Sequence, residues 1–538
     1  MGGIIMPLDR TLRKYWQALP AARKWAFLSC FISGYLIHIF AFTNIIPNSD
    51  GLSRVFDPQQ MTVSGRWFLH YASMLNGFTQ MPALIGLLSM VFLSLAAALA
   101  VGVLGIRSRS LAAFAGVLMA AFPCLGYTFL YMFTASAYAL AILLAVLSLW
   151  LAKRGRWWTL AGSLVLALSM GIYQAYAAVA ISLSVLLVLR ECLSSRSSFK
   201  ETALLGVRLV VYLAVGAALY YGILQLFLTV KGLELLDYLG MSDAGSGYPI
   251  AQLPRLILTT YKQVIIFFFL PGSSSALTSP VMAVLDVAAV LLAAICVVAA
   301  VVRRELYKQP WRIAGALVMA ALMPLALGFA QIISPYSDAT PIMKYAYVVI
   351  YLAVLVVCDL GLSLLPRPRG GQVASAALSL CLCGLILYGA NINNLLYTAC
   401  DQAHRATLSY ATRLVSRIES CPGYEPGMEV LIIGAISTDQ LSANIESYAL
   451  IDHYSAPTAT VATLNKHIYY YLNDWLNVPF EEPEDELMLS VSKTRAFRDM
   501  PLYPADGSVA VLDGRVVVKI QEEYTPKSEF EIAYENRR

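Results

Sequence analysis

Two carboxylates and two guanidiniums stand in one polar stretch, "NIIPNSDGLSRVFDPQQMTVSGRWFLHY", from Asn44 to Tyr71. Asp50 and Asp57 have the chemistry of a general base. A carboxylate beside a sugar or lipid hydroxyl takes its proton as the oxygen attacks. Arg66 offers a planar fork of N–H donors that suits a phosphate. Each group also has a plain structural reading. "NSDG" and "DP" are ordinary turn formers, and Arg66 with Trp67 reads equally as an anchor at a membrane surface.

The elements that must hold this stretch follow from composition. The chain has 538 residues, of which 59% are hydrophobic and 13% charged, and its mean hydropathy is +0.66. Soluble domains carry about 25% charge. Apolar stretches long enough to cross a bilayer recur near 24–43, 82–104, 111–126, 135–152, 157–171, 174–189, 209–229, 281–302, 313–333, 345–365 and 373–395. The expected fold is a polytopic α-helical membrane protein with about eleven transmembrane helices.

Loop charge orients it. Twenty Lys and Arg residues fall in one set of loops, and six fall in the other: Arg54, Arg66, Lys231, Arg255, Lys262 and Lys344. The positive-inside rule places the first set, with the N-terminus, in the cytoplasm. An odd number of spans then puts the C-terminal tail outside. The net charge of +5 follows from this asymmetry and does not suggest nucleic-acid binding. Counting 253–270 as a twelfth span would expose Arg303, Arg304, Lys308, Arg367 and Arg369 to the outside, so that segment reads as an interfacial or re-entrant helix.

Residues 157–190 are bounded by cytoplasmic cations and must cross twice, with about 17 residues per crossing, the minimum for a span. The tip, "SMGIYQAY" (169–176), then lies at or below the outer surface. Backbone at such depth needs protein or a water-filled cavity around it, which makes Tyr173, Gln174 and Tyr176 candidate cavity-lining residues. Arg255 and Lys262 are seven apart and share a helix face. With Arg66 and Lys344 they are the outer-face cations available to hold a phosphate, and each reads otherwise as a snorkelling anchor.

The composition changes after Asn394. Residues 396–538 hold most of the acidic side chains and no span. "MEVLIIGAI" and "SVAVLDGRVVVKI" read as strands, the latter a hairpin with an Asp-Gly turn, and 406–420 has helical apolar spacing. The expected division is a membrane domain, 1–395, and a small extracytoplasmic α/β domain, 396–538. Nine scattered cysteines form no zinc-type quartet, although Cys400 and Cys421 could pair if exported. The five histidines show no metal spacing, no cleavable signal peptide is evident, and no internal repeat points to an inverted-repeat transporter.

"NSDG" soon after the first span, "SGRW" near the second and "SMGIYQAY" at a hairpin tip resemble the GtrII-type glucosyltransferases, membrane enzymes related to O-antigen serotype conversion. The resemblance covers roughly 24–395. It implies a fold similar to GT-C glycosyltransferases, a polyprenyl-phosphate sugar donor, usually glucose, and an acidic base in the first outer loop. By motif it carries over to Asp50, Arg66 and the Tyr173–Gln174 tip, and it leaves the choice between Asp50 and Asp57 open. The expected activity is therefore inverting transfer of a sugar to a cell-envelope glycan outside the membrane. Tyr173 and Gln174 would contact sugar or phosphate. No nucleotide-binding motif is present, and no cofactor is expected. Asp50 and Asp57 could together take a divalent ion, although without a histidine ligand. The rival readings are a lipid-linked oligosaccharide flippase, which should carry charges at mid-membrane, and an O-antigen or capsule polymerase, which should carry its soluble bulk between late spans.

Overall fold

In a computed structural model of the chain, the described residues are 14, 16–47, 51, 62–76, 80–195, 197–235, 253–270, 279–333, 339–365, 368–434 and 465–526. They form two compact units. One comprises 1–43 with 61–393, and the other 44–60 with 394–538.

The first unit is a helical bundle. Its helices are α1 (Ala21–Ile37), α2 (Ile39–Thr43), α3 (Leu69–Ser73), α4 (Pro82–Leu104), α5 (Arg109–Ala121), α6 (Pro123–Leu130), α7 (Met132–Ala152), α8 (Arg156–Ile172), α9 (Ala177–Leu193), α10 (Phe199–Lys231), α11 (Leu253–Phe269), α12 (Pro280–Arg303), α13 (Pro310–Leu327), α14 (Phe329–Ile333) and α15 (Val349–Gly361). The helix α16 (Pro368–Glu419) follows. Their ends carry expected signals. Ser198 and Glu201 form a capping box at the start of α10, and Pro82 and Pro280 sit in the first turns of α4 and α12.

Among the described residues, eight helices are long and apolar enough to cross a membrane. There are nine if α5 and α6, bent by 43°, count as one span. The protein is thus a polytopic helical membrane protein. The other two expected spans, 24–43 and 157–171, fold as α1 and α8, each of 17 residues, about 25 Å long at 1.5 Å per residue and at the short limit for a crossing. The bend between α5 and α6 falls at Pro123, whose ring lacks the N–H that would continue the ladder.

Small residues let the helices approach. α1 packs on α4 and α5, α7 on α4 and α8, α8 on α10, α9 on α13, and α12 on α15. A Cβ on Gly116 of α5 would lie 2.3 Å from the Ala26 carbonyl oxygen of α1, and one on Gly162 of α8 would lie 2.5 Å from that of Ser148 in α7. Such contacts suit a bilayer, where apolar surface alone does not drive helices together. Ser29 adds a hydrogen bond to the Ala113 carbonyl, 2.9 Å.

The second unit is a small α/β fold. Its strands are β1 (Val430–Ile433), β2 (Val509–Leu512) and β3 (Arg515–Lys519), in the order β1-β3-β2. β1 pairs parallel with β3, and β2 pairs antiparallel with it. Asp513 and Gly514 turn the hairpin with φ of 48° and 74°, as a type I′ turn requires. Side chains alternate between two apolar layers. Val430, Ile432, Val516 and Val518 meet Leu414 and Ile418 of α16 and Tyr471 and Leu472 of helix α17 (Asn465–Leu476). Leu431, Ile433 and Val517 meet Met488 and Phe497. Cys400 and Cys421 are buried and unlinked. The pairing that export would allow them fails for a geometric reason. They are 21 positions apart on and just beyond one continuous helix, about 31 Å at 1.5 Å per residue, and a disulfide needs Cα atoms within about 7 Å.

Candidate functional site

The site is built on a turn, residues 62–68, pinned from two sides. Gly65 has φ of 79°, a left-handed conformation that side chains resist. The Ser64 carbonyl accepts a hydrogen bond from Gln174 Nε2 at 2.9 Å. The same nitrogen donates to the Tyr220 hydroxyl of α10 at 3.0 Å, and that hydroxyl donates to the Gly65 carbonyl at 3.0 Å. The Phe68 N–H closes the turn on the Gly171 carbonyl at 2.7 Å. Gly171 must be glycine for this approach: a Cβ there would fall 2.7 Å from the Trp67 ring and 3.0 Å from the Phe68 Cβ.

The pinned turn presents Arg66 to a wall of tyrosines. Its guanidinium carbon lies 5.0 Å from the Tyr173 ring centroid, and Nη1 is 3.5 Å from the Tyr138 hydroxyl of α7. Tyr138 and Tyr173 stack at 4.8 Å. Tyr176 meets Tyr173 edge-on at 5.2 Å and Tyr345 at 6.4 Å. Arginine over an aromatic face is held by the attraction of its charge to the ring. Trp67 is buried and stacks on Phe227. A buried indole does not anchor at a membrane surface, so for Trp67 the anchor reading fails.

Of the residues singled out from sequence, the structure brings Arg66, Tyr173, Gln174 and Tyr176 together. The details differ from the expectation. The tip is enclosed by protein, with Tyr176 fully buried, and the Gln174 amide donates to the Ser64 carbonyl of the turn and to the Tyr220 hydroxyl, so Gln174 positions the loop. Arg66 does not stand at the head of the second span, because α3 and a short 3-10 turn, Met74–Asn76, intervene before α4 begins at Pro82.

Lys344 lies on the 3-10 helix Pro341–Val348, which packs against the Gln174–Tyr176 turn. It is 3% exposed, which removes the snorkelling reading for it. Arg255 and Lys262 are both exposed on α11 and are not in the tyrosine wall. Beside them on the same helix is an open apolar groove of about 600 Å³, lined by Leu253, Pro254, Ile257, Leu258 and Tyr261. Asp50 and Asp57 lie outside the described residues. Tyr138, Tyr220 and Tyr345 were missed. The available signal was a phenol inside an otherwise apolar helix, where a buried hydroxyl seeks a partner.

The family model for the glucosyl transferase GtrII matches residues 39–358, which contain the turn, the tip, the tyrosine wall and the helices that carry them. The chain belongs to the GtrII family. No curated protein and no solved structure matches it. With eight or nine candidate spans among the described residues, this GtrII-family chain is a multi-pass membrane glucosyltransferase. It takes a sugar donor and works in a lipid bilayer. Both polar features, the Arg66 turn and the "SMGIYQAY" tip, fall inside the GtrII region.

Proposed function

We propose that the protein transfers glucose from a polyprenyl-phosphate donor to a hydroxyl of a cell-envelope glycan on the outer side of the membrane, with inversion. The acceptor oxygen attacks the anomeric carbon, and the carboxylate of Asp50 takes its proton, with Asp57 as the alternative base. The bond to the donor phosphate breaks, and polyprenyl phosphate leaves as a monoester whose growing charge needs neutralising rather than protonating. Arg66 supplies that neutralisation, aided by Lys344 and by Arg255 and Lys262. Fixed cations in a site shielded from water act strongly on developing charge. Tyr173 contacts the sugar or phosphate. The apolar groove beside Arg255 and Lys262 suits the lipid chain. The N-terminus is cytoplasmic and residues 396–538 are extracytoplasmic. We invoke no cofactor, and transfer is expected to survive a chelator.

The observation that carries this reading is the pinned Arg66, an arginine held on a tyrosine face by a turn tied down through Gln174, Tyr220 and Gly171. The test is transfer from a short-chain polyprenyl-phosphate glucose by purified protein. Arg66→Ala is expected to weaken donor use more than Arg66→Lys, because an ammonium cannot hold two phosphate oxygens at once. Asp50→Asn should cost about 10²–10⁴-fold in rate, and Asp57→Asn less. Unchanged donor affinity in Arg66→Ala would remove Arg66 from the site, and near-normal turnover in Asp50→Asn would pass the base role to Asp57. Orientation is checked separately: Ala505→Cys should react with an impermeant thiol reagent on intact cells, and protection would reverse the topology.

A further inference from the structure

A second gathering of cations lies at one end of the bundle, around the C-terminus of α4. Three helices send a side chain there. Arg23, in the first turn of α1, lies against Gly102: a Cβ on that glycine would fall 2.4 Å from the Arg23 Nε. Arg190, in the last turn of α9, lies against Gly105, the left-handed residue that ends α4 at φ 66°, with Nη2 2.7 Å from where a Cβ would stand. Lys153, the residue after α7, donates through Nζ to the Val103 carbonyl at 2.8 Å. Burial, then Arg190 and Arg23, pull the Lys153 pKa down, while Glu191 works against them.

The charge here is not balanced within the protein. Glu191 is the one carboxylate acting on Lys153. It is already held by Arg190 at 2.5 Å and accepts from the Ser197 hydroxyl at 3.1 Å. Among the described residues the Arg23 side chain makes no hydrogen bond and no ion pair. Asp359, near the loop that follows α4, is committed to the backbone N–H groups of Arg107 and Ser108. Three cations against one carboxylate leave a surplus of about two charges, and a helix C-terminus offsets only about half of one.

Exposed tryptophans flank this end. Trp25 is two residues from Arg23. Trp157 and Trp158 open α8 just after Lys153, and Trp157 is 79% exposed. Indoles favour the headgroup level of a bilayer, so the cluster sits where lipid phosphates are. We propose that Arg23, Lys153 and Arg190 form a binding site for the phosphate of an anionic phospholipid headgroup. The site is independent of the glucosyl-transfer reading, since it shares no residue with it. Lipid recognition by basic pockets between membrane helices follows the same electrostatics.

The experiment uses the full chain in detergent, incubated with phosphatidylglycerol or with phosphatidylcholine. Native mass spectrometry counts retained lipid, and thermal unfolding is measured in parallel. The wild-type protein should retain phosphatidylglycerol in preference and unfold at a higher temperature with it. Arg23→Gln should lower phosphatidylglycerol retention about five-fold, the typical effect of one cation near a membrane surface, and leave phosphatidylcholine unchanged. Arg23→Lys should restore most of the loss, and Arg109→Gln, an exposed arginine outside the cluster, should match the wild type. Equal retention of the two lipids by the wild type, or undiminished retention by Arg23→Gln, overturns the proposal. Inorganic phosphate in place of lipid should not raise the unfolding temperature; if it protects as well as phosphatidylglycerol, the ligand is a soluble anion and the lipid assignment falls. Should Arg23→Gln fail to fold, the wild-type preference still decides, because a phosphate site must weaken with added salt and a salt-insensitive preference overturns it.

Discussion

Helices α7 and α10 are nearly equal in apolarity, yet about two thirds of the residues along the first are buried in protein and only about a fifth of those along the second. Their polar side chains differ. α7 buries Thr134, Ser136, Tyr138 and Ser148. α10 buries a single stripe, Leu209, Tyr212, Gly216, Tyr220, Leu224 and Leu228, at the spacing of one helix face. Two adjacent tyrosines show the division. Tyr220 points inward with its hydroxyl on the Gly65 carbonyl, whereas Tyr221 is 54% exposed. Lipid is as apolar as leucine, so hydrophobicity finds a span without saying which face meets protein. Small and hydrogen-bonding residues decide that, and here they gather around the Arg66 turn.

The largest test of this contrast is Gly171→Val. The new side chain must enter the space of the Trp67 ring and the Phe68 Cβ, both held in place, so overpacking should cost about 3 kcal/mol and abolish transfer. Gly222→Val is its counterpart on α10, where a Cβ meets nothing within 4 Å. It should stay within about 0.5 kcal/mol of wild type. Unfolding midpoints of the purified variants compare the two, and equal losses would erase the distinction between the faces.

Next in size is Gln174→Leu. It removes both donor contacts, to Ser64 and to Tyr220, a loss of about 1–3 kcal/mol. Transfer should fall with it, because the turn no longer fixes Arg66. Tyr220→Phe breaks one link of the same chain and should cost about 0.5–1.5 kcal/mol, whereas Tyr221→Phe should be neutral. The double variant Gln174→Leu/Tyr220→Phe should cost less than the sum of the two, since they share a bond. Full additivity would mean that Tyr220 does not act through Gln174.

The sequence made the membrane class and most helices legible because long apolar runs have few alternatives, and the Asp513-Gly514 hairpin because its turn type demands those residues. It did not show that the segments 24–43 and 157–171 fold with helices of only 17 residues, since composition does not register helix ends. Arg66 and the "SMGIYQAY" tip were recognisable as neighbours in function because both interrupt apolar segments. The part Gln174 plays was not. One of its partners is the Ser64 backbone carbonyl, 110 positions away, and any residue has a carbonyl, so no side-chain pattern marks it. Tyr220 was hidden likewise, as one of two adjacent tyrosines whose facing only the stripe of α10 reveals.

The smallest expected effect is the sharpest test of the lipid-facing side. Leu226 on α10 is 61% exposed and Leu224, two residues before it, is 2% exposed. Leu224→Ala opens a cavity among packed side chains and should cost about 2–5 kcal/mol. Leu226→Ala should lie within about 0.5 kcal/mol of wild type. The reason is the reference state: a leucine on the outer face touches lipid both when the bundle is assembled and when its helices have separated, so the loss of its methyl groups cancels. Unfolding of the reconstituted protein in mixed micelles measures both. If Leu226→Ala costs as much as Leu224→Ala, the outer face of α10 is covered by protein in the membrane. The contrast with α7 would then reflect an uncovered subunit contact, and a crosslink from Leu226→Cys to a second copy should appear under the same conditions.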